Sequence, residues 1–432
     1  MTDFMTSFIH WLPMLMQGAL TTAALCLTAM VAGFLVGIGV WRMSTSPLPI
    51  YRMTAHGWVS LFRGTPVLAQ LLLCFYLPSQ LGIDIPGFAA ATLALTLNTA
   101  AYQSQILKSG FASITPGQLE AAAICGLSPR QILWRIQVPQ VVRTTLPSLI
   151  SELIDVIKAS AVVSVIALTD LMRVGQQLAS STYQPLQVYL YRGSGLSTAD
   201  QPAGAVGPSG RTPLAEGTTM TELAQYLPAY IQALGVTLWI SLCAACGGML
   251  LGFALNGLCG RRGLAFRLWR AYVWVIRGTP FLAQLAVIYF GLPSIGIMLS
   301  AVDATLLSLT LYSAAYFGEI FRAAWNTIPP GQREAALANN ISTVHCFWHI
   351  QTPQAVRFAL PLLGNQFILT IKESAVASII TVPELTMTTS QIVANTYSYI
   401  LPYTLLIVSY WLLAQGVSMS IKTLSHLLRT GE

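Results

Sequence analysis

Three carboxylates stand inside long apolar runs: Glu152 and Asp155 in LISELIDVIKASAVVSV, and Glu319 in SAAYFGEIFRAAW. A charge in hydrocarbon is costly, so such groups face a cavity or a partner and mark routes for polar solutes. An acidic lining formed by these three, helped by the amides of Asn98, Asn365 and Gln366, would suit the amino or cationic group of a solute. The alternative is structural, with Glu319 paired to Arg322 near the inner surface and Glu152 paired to Lys158. Residue types alone leave both open.

Other chemistry is thinly represented. No G-x-x-x-x-G-K-[ST] phosphate loop occurs, so the chain supplies no Walker-type ATP site. His345 and His349 lie four apart, a spacing that could turn two imidazoles to one side for a metal. Only Cys346 stands beside them, pointing elsewhere on a helix, and solvent-facing or docking histidines are expected. Cys243 and Cys246 form a C-x-x-C within an apolar run, where small buried residues are expected rather than a redox or metal pair. With no clustered nucleophile, base or metal set, the chain is not expected to be an enzyme.

The elements that position these residues are membrane helices. With 54% hydrophobic and 9% charged residues, the composition lies far from the roughly one-quarter charged residues of soluble domains. Crossing about 30 Å of hydrocarbon takes ~20 apolar residues. Spans are expected near 20–41, 66–77, 88–107 and 146–168, then 229–255, 280–299, 304–324, 360–380 and 402–424. The N-terminus has no basic segment or small-residue cleavage site, so no removable signal peptide is expected. The net charge of +7 is concentrated between spans, in Lys108, Arg130, Arg135, Arg143, Arg261, Arg262, Arg267, Arg270, Arg322, Arg333 and Arg357. This is positive-inside bias rather than a nucleic-acid patch.

The chain also repeats itself. ITPGQLEAAAICGLSPRQILWRIQVP recurs as PPGQREAALANNISTVHCFWHIQTP, and Glu120 and Glu334, Pro139 and Pro353, and Lys158 and Lys372 all differ by 214 positions (334 minus 120). Each copy reads as two short helices joined at a turn. Thr115, Pro116 and Gln118 predict a capping box, and Ser128, Pro129 and Gln131 predict a second start. Gly126 suits the left-handed residue that closes a helix, and Asn340 tolerates the same conformation in the second copy. In RGTP, at the inner mouth of the second span, Thr65 and Thr279 are expected as caps, with Pro66 and Pro280 in the first turn. Arg63 and Arg277 there are expected to act in structure or gating. Lys158, Ser160, Lys372 and Ser374 break the fourth span with polar groups, either to bend it or to line a path.

These motifs carry a resemblance. Glu120-Ala121-Ala122, Gly126, Ile136 and Pro139 resemble the EAA loop of ABC importer permeases. RGTPVLAQ and RGTPFLAQ, AAY before the third span, PGQxEAA and IKxSAVxS are similar to the polar amino-acid permease subunits of that family. The resemblance covers both halves and fails only at their junction. It implies an all-α integral membrane protein with a type I importer permease fold in tandem repeat, four spans then five. It further implies coupling helices carrying Glu120, Ala121, Ala122 and Gly126, and Glu334, Ala335, Ala336 and Asn340, that dock on two ATPase subunits. An external substrate-binding protein would deliver a polar or basic amino acid, or an opine-like derivative, across a bacterial inner membrane. ATP and Mg²⁺ would sit on the partner subunits, with no cofactor on this chain. Internal repeats and midplane ionisable residues also mark ion-gradient-driven secondary transporters, which stand as the alternative.

The junction departs from the repeat. The first half, 1–191, starts its fifth span and then gives way at 192–219 to a segment in which nine of 28 residues are Gly or Pro, a linker composition. The second half, 220–432, begins at Met220. A fusion is topologically allowed, because four spans end the first half outside, where the second begins. A frameshift or artificial join is favoured: one permitted codon set shifted by one nucleotide reads as an apolar span, and Met220 resembles an initiator.

Overall fold

The computed structural model describes residues 2–182, 225–258 and 263–430. The linker at 192–219, the half boundaries beside it, and Arg261 and Arg262 lie outside the described residues. The chain divides into two compact units, the first running to Gln177 and the second containing the helices from Leu227 onward.

In the first unit, α1 (Thr2–Ser44) is followed by α2 (Pro49–Gly64), α3 (Val67–Gln80) and α4 (Gly87–Ala112). Two short helices, α5 (Pro116–Ile124) and α6 (Pro129–Ile132), lead through a π-helical turn at Leu133–Gln137 into α7 (Val138–Ala159). A 3₁₀ segment, Ser160–Ile166, and the part of α8 (Leu171–Thr182) up to Gln177 complete it. The second unit repeats the order: α9 (Leu227–Leu258), α10 (Leu264–Gly278), α11 (Phe281–Ala286), α12 (Ala301–Asn326), α13 (Pro330–Ala338), α14 (Thr343–His345), α15 (Thr352–Ser374) and α16 (Leu385–Thr396). It then adds α17 (Ile400–Thr430).

All nine expected spans fall on helical segments, yet by length and hydropathy alone only three described helices qualify: 11–44, 227–257 and 400–428. The reason is visible in α4 and α12. Each is 26 residues long, or about 39 Å, but buries Thr96, Asn98, Thr99, Gln103 and Ser104, or Thr305, Ser308 and Ser313. Polar groups turned into the bundle lower mean hydropathy without exposing polarity to lipid.

The second span differs from the expectation in both units. RGTP does not simply open a helix: α2 and α3 meet at 107°, and α10 and α11, with the turns that continue it, at 109°. Pro66 and Pro280 occupy the N-cap position with extended backbone, one place before the first turn. Thr65 and Thr279 close the preceding helix instead, their hydroxyls donating to Leu61 O at 2.8 Å and Val275 O at 2.9 Å.

The EAA segments form the expected helix-turn-helix with one correction. Thr115 makes no side-chain cap bond, because Gln118 N bonds the Thr115 carbonyl instead, and Pro329 at the matching place has no capping group. The second start is a complete capping box, with Gln131 Oε1 accepting from Ser128 N at 2.8 Å and Ser128 Oγ from Gln131 N at 3.4 Å.

Candidate coupling loops and polar interior

Both loops close with the same backbone geometry. Gly126 has φ +77° and Asn340 φ +58°, the left-handed values their residue types allow at little cost. Leu127 N then reaches Ala122 O at 3.2 Å and Gly126 N reaches Ala123 O at 3.0 Å, a Schellman closure that satisfies two orphan carbonyls. Ile341 N to Ala336 O at 2.9 Å and Asn340 N to Leu337 O at 3.0 Å repeat it. Glu120, Ala121, Glu334 and Ala335 are exposed, whereas Ala122 and Ala336 are turned inward. Ile124 is 87% exposed at the end of α5, and Leu337, Val344, Trp134 and Trp348 are exposed nearby in the two loops. Apolar side chains beside a free carboxylate are what a protein partner would cover. Each loop is seated on its own unit, the first by Ile114 and Val141 under Leu119, the second by Ile328 and Ala355 under Trp325.

His345 and His349 stack at 4.0 Å and are exposed. No group of three or more metal-ligating side chains occurs among the described residues.

The break in the second span is held by a glutamine that composition did not single out. Bending between α2 and α3 leaves the last carbonyls of α2 without helical donors. Gln70 supplies them: its Nε2 donates to Phe62 O at 3.0 Å, Thr65 O at 3.3 Å and Thr65 Oγ1 at 2.7 Å. Asn98 completes the staple, donating to Phe62 O at 3.1 Å and Gln70 Oε1 at 3.0 Å. Its amide donor is therefore engaged in structure rather than turned to a solute. Gln284 makes the same bonds to Ile276 O, Thr279 O and Thr279 Oγ1 at 2.8, 3.2 and 2.9 Å. Tyr312 stands where Asn98 stood, and Gln284 Oε1 is left buried without a partner. Arg63 and Arg277 lie over the rings of Tyr102 and Tyr316 at 5.2 and 5.3 Å, so both tie the break to the following helix through cation–π contact.

The three intramembrane carboxylates do not share one environment. Glu152 is buried and accepts from Thr99 Oγ1 at 2.7 Å. Asp155, one turn on, is 63% exposed and pairs with Lys158. Glu319 holds Arg322 through two bonds, at 2.9 and 2.6 Å, with Arg277 at 3.7 Å. For Glu319 the structural alternative is the one observed. Asn365 is exposed, while Gln366, which matches Glu152, is buried with Nε2 lacking a partner.

The polar break in the fourth span is a change of helix type. Ser160 Oγ and Ser374 Oγ donate to Ile157 O and Ile371 O, and both chains tighten into 3₁₀ turns that end at Ala167, φ +59°, and Thr381, φ +66°. Lys158 and Lys372 lie in the last turn before that change. Two acids went unnoticed in sequence. Asp170 and Glu384, again 214 apart (384 minus 170), are buried caps for the helices that follow. Asp170 Oδ1 accepts from Arg173 N at 2.9 Å. Glu384 accepts from Thr386 N, Met387 N and Tyr410 Oη, each at 2.8 Å. An acid directly before an apolar periodic run was the available signal.

A family model described as the binding-protein-dependent transport system inner membrane component matches residues 36–191 and again 244–426. The arginine transport system permease protein ArtQ of Bacillus subtilis is 34% identical over 44% of this chain and 87% of its own length. The nopaline transport system permease protein NocM of Agrobacterium fabrum is 34% identical over 43% and 81%. A solved amino acid ABC transporter with histidines matches at 32% identity, covering 48% of this chain and 98% of its own, with a TM-score of 0.46.

Proposed function

The chain belongs to the family of binding-protein-dependent transport system inner membrane components, and from that premise we propose that it joins two permease halves of one importer for polar, cationic amino acids or their opine-like derivatives. It is the membrane component of an ABC amino-acid importer, not an enzyme, and ATP hydrolysis belongs to separate subunits. The observation that carries the proposal is the duplicated loop, with the same left-handed closure and an exposed glutamate in each copy. Two loops suit two ATPase subunits, with ATP and Mg²⁺ on those partners and no cofactor on this chain. An external binding protein delivers the solute, and the setting is a bacterial inner membrane. ATP binding closes the ATPase pair, draws the docked loops with it and opens the path outward; hydrolysis resets it. Such coupling is a population shift between two states.

Vesicles containing the chain with its ATPase subunits are expected to take up labelled arginine from the binding protein only with ATP inside, and unchanged when ion gradients are collapsed. Glu120→Lys together with Glu334→Lys reverses charge at two exposed positions, where stability changes stay within about 0.5 kcal/mol. Uptake and ATPase capture should fall at least tenfold while the amount of folded chain stays the same. Uptake that follows a proton or sodium gradient without the ATPases overturns the proposal.

We further propose that Glu152, buried in the first unit, contacts the solute; Gln366 is its counterpart in the sequence repeat. Glu152→Gln makes the two positions alike and should reduce the preference for arginine over glutamine in competition uptake. An unchanged preference removes Glu152 from the path.

A further inference from the structure

The first unit holds a cavity that none of these roles uses. About 640 Å³ in volume, it opens between the end of α1, the end of α4 and the segment after the EAA turn. Trp41 and Arg42 form one wall, Lys108 and Phe111 a second, and Arg130 and Gln137 a third. Three cations thus line it and no carboxylate does. Among the described residues, none of the three takes part in an ion pair. Like charges around one cavity repel, and a bound anion relieves that repulsion. Trp41 and Phe111 are stacked at 4.2 Å, and Trp41 Nε1 is buried without an acceptor.

The second unit acts as an internal control. At positions 214 further on, Arg42 is replaced by Asn256, Arg130 by Val344 and Lys108 by Arg322, whose guanidinium is taken by Glu319. The aromatic pairing survives there in other residues, with Trp325 stacked on Phe347 at 5.5 Å. The loop therefore folds without the charge cluster, and the cluster needs a different explanation.

Its position supplies one. The apolar stretch 11–44 runs for about 51 Å, well beyond the ~30 Å of hydrocarbon, so its basic end reaches the phosphate layer. Directly after it, α2 exposes Ile50, Tyr51 and Met53 beside Arg52, the pattern of a helix lying in the membrane interface. Basic pockets on the cytoplasmic side of membrane helices suit phosphate-bearing headgroups.

We propose that this cavity binds a phosphate group, held by Arg42, Lys108 and Arg130 beside the Trp41–Phe111 pair, and that the phosphate belongs to an anionic lipid of the inner leaflet. Free phosphate would use the same cations, so the test must separate the two sources. The purified full chain in neutral detergent is titrated with phosphatidylglycerol or phosphatidylcholine, and bound lipid is counted by native mass spectrometry. Phosphatidylglycerol should be retained about 100-fold better, and each of the three cations removed should weaken retention about fivefold. Arg42→Asn with Arg130→Val, the residues of the second half, should therefore lose about 25-fold. Lys108→Gln gives an independent fivefold loss, Arg42→Lys with Arg130→Lys keeps most of the binding, and Arg52→Asn outside the cavity changes nothing. Retention that survives equimolar inorganic phosphate supports the lipid source; complete displacement by equimolar phosphate supports the site and overturns that source. Equal retention of the two lipids, or retention unaffected by Lys108→Gln and by the paired Asn and Val substitutions, overturns the site.

Discussion

Leucine in place of Gly252 is expected to remove most folded protein from the membrane. Without a hydrophobic force between helices in lipid, close backbone packing at small residues holds them together. Gly248 and Gly252 lie one turn apart on α9 against α12. A Cβ at Gly252 would stand 2.6 Å from Ala314 O and 2.8 Å from Gly318 N, and one at Gly248 2.6 Å from Ser313 Cβ. Overpacking typically costs ~1–3 kcal/mol, and a clash with backbone that cannot rotate away belongs at or above that limit. Gly33 and Gly37 repeat the contact in the first unit, but Gly33 first meets the Thr99 methyl at 2.3 Å, the end of a side chain, and should be less severe. Gly257→Leu is the control, since nothing lies within 4 Å of a Cβ there. Size-exclusion profiles after heating in detergent would rank the variants, and a Gly252→Leu profile like that of Gly257→Leu would contradict the packing account.

Gln70→Leu is expected to cost about 2–4 kcal/mol, because it strands buried polar groups worth ~1–3 kcal/mol each. Thr65 O loses the Gln70 donor, Asn98 loses an acceptor, and Phe62 O keeps only Asn98. Gln284→Leu should be milder by roughly 1–2 kcal/mol, because Gln284 Oε1 already lacks a partner and its removal relieves that cost. The mildness of the second substitution is the discriminating feature. A larger melting shift for Gln284→Leu than for Gln70→Leu would show that the two breaks are not held in the manner described.

Much of the coupling loop was legible in sequence. The 214-residue offset located both copies, and Gly126 and Asn340 announced a backbone conformation that few residues tolerate. The Thr115 capping box failed because the side chain is only one possible acceptor, and the backbone carbonyl of the same residue was available to Gln118 N. The interior was read less well. Asn98 looked like a solute ligand and is a staple across 28 and 36 residues of chain; for Glu319 the sequence left a lining acid and a partner of Arg322 both open, and Arg322 and Arg277 hold it. Glu384 was passed over, although its carboxylate joins α16 to α17 through Tyr410.

By itself, the sequence determined that the chain is a duplicated set of membrane helices with two polar loops, and it determined how those loops close at Gly126 and Asn340. Composition, hydrophobic run length and the φ preferences of glycine, asparagine and proline are local properties, so each acts without reference to the rest of the fold. Only the tertiary structure decided which buried polar groups hold helices together, as Gln70 and Asn98 do across the break between α2 and α3. In a low-dielectric interior an unpaired polar group is costly, and the partner that relieves the cost comes from another helix that no local pattern names. Gln366 Nε2, buried without one, stands apart from Gln70 for that reason alone.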